Sequence, residues 1–159
     1  MLMALRLFIA AAVALFGASI ANAAETILTV TGAVDGESVA FSRADLDSMP
    51  RTTFRTSTIW TEGEQEFSGV ALADLMAAVG AKGKRIKATA LNDYSVEIPM
   101  EDVAKPGPIV ALWHNGREMS VRKKGPLWIL YPYDSDPDFQ KETIYSRSIW
   151  QLNRLEVIQ

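Results

Sequence analysis

Cysteine is absent from the 159-residue sequence, and histidine occurs once, as His114. The first absence excludes disulfide staples, thiolate nucleophiles and thiolate metal ligands. The second leaves too few imidazoles for a closed metal site, and His114 is expected to play a surface role beside a turn. No phosphate-cradling glycine loop, dinucleotide fingerprint or Gly-x-Ser-x-Gly elbow occurs, which removes several common catalytic classes. Positive charge is not in excess either: 16 Lys and Arg face 19 Asp and Glu for a net charge of -3, a poor balance for binding nucleic acid. Internal repeats and low-complexity linkers are lacking as well. Asp134, Asp136 and Asp138 alternate in a loop, but the glycine and terminal glutamate of a calcium loop are not at the required spacing.

The N-terminus has an early cation, Arg6, an apolar run from Leu7 to Ile20, and the small-residue site Ala21-Asn22-Ala23. That is the pattern of a cleavable secretory signal peptide over residues 1–24, and the run is shorter than the roughly 20 residues that span a bilayer. Export to the periplasm is expected, with residues 25–159 forming one domain. Removing Arg6 from the net charge of -3 leaves -4 for that domain.

Short strands dominate the remainder. Ile27–Thr31 and Ser38–Phe41 flank the turn signal Asp35-Gly36, and Ser42 with Asp45 has the spacing of a capping box for a helical turn. Thr52–Trp60, Arg85–Leu91, Tyr94–Ile98, Ile109–Trp113 and Trp150–Ile158 read as strands. Val70, Leu72, Leu75, Met76 and Val79 predict a helix stopped by Gly80, and Asp134–Lys141 a polar loop. The central stretch runs from the hairpin signal Asn115-Gly116 through Arg122, Lys123 and Lys124 to a Gly125-Pro126 corner and a strand, Leu127–Tyr131. Positive charge and bare backbone N–H groups at a strand entrance suit a small anionic or heteroaromatic ligand; a solvated cationic turn before a core strand gives the same pattern.

Four segments in order resemble the molybdopterin-binding domain of the sulfite oxidase family. They are Phe67-Ser68-Gly69-Val70-Ala71-Leu72, then Asn92-Asp93-Tyr94-Ser95-Val96-Glu97-Ile98-Pro99, then Asn115-Gly116-Arg117-Glu118-Met119 with Arg122-Lys123-Lys124-Gly125-Pro126, and finally Ser148-Ile149-Trp150 with Leu155-Glu156-Val157. The resemblance implies an α+β single domain, a mixed, sheet-rich molybdopterin-binding fold with a few short helices. It also implies a pterin or molybdopterin ligand. The family ligates molybdenum through a cysteine on the segment that corresponds here to Thr53–Trp60. Hydroxyls at Thr56, Ser57 and Thr58 cannot replace that sulfur, so no metal is expected to be bound through cysteine.

The branch this chain looks like is that of small exported proteins that bind a reduced pterin and report it to a membrane-bound cyclic-di-GMP enzyme or another periplasmic partner. On that resemblance Trp60, Tyr94 and Tyr131 are candidate stacking residues, and Asn92, Asp93, Arg117 and Arg122 candidate readers of the pterin edge. Lys124 and Gly125 match the segment that meets the cofactor in relatives, with Lys124 in place of the family's usual histidine. The expected function is a non-catalytic pterin sensor or regulator. The alternatives are a molybdopterin-dependent oxidoreductase, or a subunit of one, that holds the cofactor through its dithiolene, and a scaffold with an empty pocket.

Overall fold

The computed structural model describes residues 24–159; the leader expected over 1–24 lies outside the described residues except for Ala24. In chain order the elements are β1 (Thr26–Gly32), β2 (Ser38–Ser42), α1 (Arg43–Ser48), β3 (Arg51–Ser57), β4 (Glu64–Ala71), α2 (Leu72–Ala78), β5 (Arg85–Ala90) and β6 (Ser95–Pro99). There follow β7 (Ile109–His114), β8 (Arg117–Glu118), β9 (Trp128–Leu130), α3 (Glu142–Tyr145) and β10 (Leu152–Ile158), with short 3-10 turns between them. The class is α+β, rich in sheet and poor in helix.

The strands form two sheets. The first has the order β2-β1-β10-β5-β6, in which only β1 and β10 run parallel. The second is antiparallel, β3-β4-β7-β8, and β9 pairs with β7 on Ile109–Ala111, beside β8 on Trp113 and His114.

Local chemistry explains the corners. Asn115 (φ 49°) and Gly116 (φ 70°) both take the positive φ of a tight hairpin turn between β7 and β8. Asn115 Oδ1 also accepts from the Glu66 backbone N–H at 2.9 Å, tying the turn to β4. At α1, Asp45 N–H donates to Ser42 Oγ at 3.2 Å and Ser42 N–H to Asp45 Oδ2 at 2.7 Å, the expected capping box.

Alternation along β7 and β9 divides the interior into two cores. Val110, Leu112 and Ile129 join Leu28, Val30, Leu72, Leu75, Ile86, Ile98 and Leu155 between the sheets and under α2. Ile109, Ala111, Trp128 and Leu130 point the other way, into a second core with Phe67, Tyr131, Tyr133 and Ile144. The centre of the second sheet, β7 with β9, is therefore dry on both faces, which is why β7 reads as a continuous apolar run.

Two elements differ from the expectations. Val70 belongs to β4, not to the helix, because the strand is paired on both sides through Val70, opposite Arg51 and Val110. The strand itself, EQEFSGVA, carries little apolar alternation and was not foreseen. Its Gly69 passes so close to β7 that a Cβ would collide with the Val110 carbonyl oxygen. The polar loop after Asp134 contains two 3-10 turns and is followed by the unforeseen helix α3. The three aspartates there have partners of their own: Asp134 accepts from Ser57 N–H at 2.6 Å, Asp136 from Asp138 N–H at 2.8 Å, and Asp138 pairs with Lys141.

His114 is half-buried rather than on the surface. Its ring stacks on Phe67 at 4.7 Å, and Nε2 lies 3.1 Å from Gln65 Oε1. Desolvation lowers its pKa, so folding favours the neutral ring. The unfolded chain takes up this proton first as pH falls through about 6.5, so the contribution is complete above that pH and lost below it.

Two outcomes follow for stability. Gly69→Ala lowers the unfolding free energy by about 3 kcal/mol, read from the urea midpoint, because backbone rather than a flexible side chain blocks the added methyl. Between pH 7.5 and 5.5 the wild-type midpoint falls further than that of His114→Gln; equal falls would remove His114 from the acid sensitivity.

Candidate functional site

Three chain segments meet at one end of the molecule. The β3-β4 connection brings Ile59 and Trp60 from the second sheet, and the β5-β6 hairpin brings Asn92 and Tyr94 from the first. The segment from α3 to Gln151 closes the third side with Glu142, Tyr145, Ser146, Ser148, Ile149 and Trp150. Together they enclose a cavity of about 460 Å³.

The hairpin tip is built to present its side chains outward. Asp93 takes φ 66°, Ala90 N–H donates to Tyr94 O at 2.8 Å, and Tyr94 N–H donates to Asn92 Oδ1 at 3.2 Å. This Asx turn leaves the Asn92 amide nitrogen free to donate. Tyr94 is 59% exposed and Ile59 64%, apolar bodies held at a cavity mouth rather than in a core.

Trp60 is the hub of the wall. Its ring meets Trp128, Tyr133, Tyr145 and Trp150 edge-on, at centroid distances of 5.7 to 6.3 Å. It is placed there by its own turn, in which Trp60 N–H donates to Thr58 Oγ1 at 3.0 Å and Thr58 Oγ1 lies 2.7 Å from Thr61 Oγ1. Tyr145 stacks on Tyr133 at 4.8 Å. The Lys124 ammonium sits 3.9 Å from the Trp150 centroid and 5.4 Å from that of Trp128, and burial lowers its pKa. Positive charge over an indole face is a favourable cation–π contact, and it sets the cation directly behind the cavity wall.

The expected site residues separate into groups. Trp60, Asn92 and Tyr94 line the cavity. Lys124, in the left-handed region at φ 70°, backs the wall, and its carbonyl accepts from Gln151 N–H at 3.0 Å. Gly125 is buried beneath it, where a Cβ would strike the Met119 carbonyl, so its part is to let the turn pass. Arg122 is exposed on the same 3-10 turn, next to Val121, whose carbonyl accepts from Gln151 Nε2 at 2.8 Å.

Asp93, Arg117 and Tyr131 do not join them. Asp93 points into a shallow groove on the outer face of the first sheet and pairs with Arg154. Arg117 lies in another groove with His114, Glu118 and Lys123. Tyr131 is 0% exposed in the second core, so it offers no open face for stacking. Its hydroxyl donates to Asp102 Oδ2 at 3.0 Å, and Arg147 binds the same carboxylate at 2.5 Å. Burial first, and then the Asp102 charge, push its pKa well above the ordinary tyrosine value.

Glu142, Tyr145, Ser146, Trp150 and Gln151 were missed as site residues. Glu142, Tyr145 and Ser146 have the i, i+3, i+4 spacing of one helix face. That signal was hidden because α3 is only four residues long, with one buried residue, Ile144.

Residues 17–134 match the family described as the oxidoreductase molybdopterin binding domain. The match covers well over half of the chain, and the protein belongs to that family. Among solved structures the chain is similar to the sulfane dehydrogenase SoxCD from Paracoccus pantotrophus, with a TM-score of 0.62 and 21% identity over 82% of this chain and 37% of that one. At this identity the likeness is one of fold, and the chain spans little more than a third of that protein's length. No curated protein matches the sequence.

Asp102→Ala should cost about 3 kcal/mol in a denaturation experiment, since it strands the buried Tyr131 hydroxyl and the Arg147 guanidinium together. Ligand affinity of the folded variant should stay at the wild-type value if Tyr131 is structural.

Proposed function

We propose that the chain is an exported, non-catalytic pterin-binding protein that holds the flat ring in the cavity walled by Trp60, Tyr94, Tyr145 and Trp150, and that acts as a periplasmic sensor or regulator. The observation that carries this reading is the cavity itself: aromatic walls with a few polar groups at the edge suit a bicyclic heteroaromatic. Tyr94 and Trp60 would cover the ring faces, Asn92 would read its edge, and Lys124 and Arg122 would set positive charge toward an anionic tail.

The donor set fits a pterin but not a molybdenum held by the protein. Over Thr53–Trp60 the Thr56 side chain is fully buried, its Oγ1 accepting from Asp134 N–H at 3.1 Å and donating to the Ser57 carbonyl at 3.2 Å. Thr58 Oγ1 is engaged within its own turn. These hydroxyls are committed to the fold, and the chain has no sulfur to add from cysteine.

A second reading rests on the family, whose description is that of an oxidoreductase domain. The chain would then be a subunit that grips molybdopterin by its pterin, the cofactor's own dithiolene sulfurs supplying the metal ligands and the redox chemistry. In the regulatory reading, ligand binding would order the turns around Asn92–Tyr94 and Arg122–Pro126, and a membrane-bound cyclic-di-GMP enzyme or another periplasmic protein would select that surface.

Elemental analysis and small-molecule fluorescence on protein purified from its native host separate the readings. Released pterin fluorescence without molybdenum supports the first, and stoichiometric molybdenum supports the second. Tyr94→Ala should lower pterin affinity about tenfold in a calorimetric titration while leaving the melting temperature nearly unchanged, because the ring is more than half exposed. Unaltered affinity in the folded variant would remove Tyr94 from the site.

A further inference from the structure

Glu142 is the one charged side chain among the residues lining the cavity. It stands on the first turn of α3, is exposed to solvent, and has no ion-pair or hydrogen-bond partner for its carboxylate among the described residues. The other polar groups on the wall are partly spent. Asn92 Oδ1 accepts from Tyr94 N–H, leaving its amide nitrogen as a donor. Gln151 Nε2 donates to the Val121 carbonyl, leaving its Oε1 as an acceptor, and Ser148 Oγ is taken by Tyr133 and the Ile144 carbonyl. The wall thus keeps one charged double acceptor, Glu142, beside the neutral Gln151 Oε1, the Asn92 amide donor and the hydroxyls of Tyr94 and Tyr145.

We propose that Glu142 selects the chemical class of the ligand, by accepting two parallel hydrogen bonds from the 2-amino group and N3–H of a 2-amino-4-oxopteridine. This rests on the pterin reading of the cavity and adds which pteridines enter it. The two donors on that ring edge are arranged like the fork of a guanidinium, the partner that a carboxylate binds in bidentate fashion. The Asn92 amide nitrogen then serves the 4-oxo group. A 2,4-dioxopteridine has the same outline and the same 4-oxo group but carries a carbonyl at C2, so a lone pair would face the carboxylate. The pterin edge thus offers the carboxylate two donors, whereas the dioxo edge offers one donor beside a repelling lone pair, and this difference favours the pterin.

The test is a calorimetric comparison of 6-hydroxymethylpterin with 6-hydroxymethyllumazine, which differ in the C2 substituent and the N1 proton it brings, on the wild-type chain, Glu142→Gln and Asn92→Ala. Expected for the wild type is a preference for the pterin of about tenfold or more. Glu142→Gln should weaken the pterin about tenfold, leave the lumazine unchanged or tighter, and so narrow the preference; Asn92→Ala should weaken both probes alike. The Glu142 carboxylate has no partner within the fold, so thermal unfolding of its variant should match the wild type. Pterin binding with no preference, or a preference that survives Glu142→Gln, would overturn the assignment of Glu142 and leave the pterin site standing. Failure of the wild type to bind either probe would overturn both.

Discussion

The structure depends on two paired strands, β7 and β9, that must stay dry on both faces. Because side chains alternate along a strand, β7 and β9 send Val110, Leu112 and Ile129 to one side and Ile109, Ala111, Trp128 and Leu130 to the other. The first side is covered by the first sheet and α2. The other has no sheet to cover it, and the chain supplies a strap instead, the segment from Tyr131 to Trp150 with Tyr133 and Ile144 facing inward. The strap is fastened by Asp102, which gathers Tyr131 and Arg147, and by the bridge from Trp128 to Trp150. Where the strap ends it cannot fill the space between the two hairpin tips, and that gap is the cavity.

Packing and polar satisfaction, rather than surface charge, hold this arrangement. The ion pairs Arg55–Glu64, Lys82–Asp35, Arg85–Glu97 and Lys141–Asp138 all lie in solvent, where water and salt screen them and each adds little. Arg147–Asp102 differs because both partners are largely enclosed and share a third, the Tyr131 hydroxyl. The cavity wall follows the same logic on its aromatic side, where Trp60 makes ring contacts with four neighbours and so fixes the shape that a ligand meets.

Turn chemistry was the most legible part of the sequence. Asn115-Gly116 and the Ser42–Asp45 box encode their geometry within a few residues and form as read, whereas Asp35-Gly36 joins β1 to β2 inside a longer connection with only Gly36 at positive φ. The apolar run at β7 and the alternation along β5 and β10 were equally plain. β4 was hidden because its outer half, Glu64 to Glu66, is polar and its centre is Ser68-Gly69, residues chosen by the closeness of β7 rather than by strand preference. Of the residues that line the cavity, Asn92 and Tyr94 stood out by their motif and Trp60 as an aromatic at the end of an expected strand. Glu142 and Tyr145 were not, since only the long-range docking of the strap brings them to the hairpin tips. Tyr131 misled because burial on both sides of β9 is a tertiary fact, and an aromatic at a strand end looks the same whether it faces a ligand or a core.

The crowding of indoles has an optical consequence. Of the four tryptophans, Trp60, Trp128 and Trp150 lie within 6.3 Å of one another, while Trp113 is set apart between Arg43 and Arg51. Chromophores at such separations share their excitation, so the near-ultraviolet dichroism and the emission of the chain report chiefly on one coupled trio. Two members of that trio form the cavity wall. The protein thus carries its own spectroscopic probe at the wall of this cavity, with no label added.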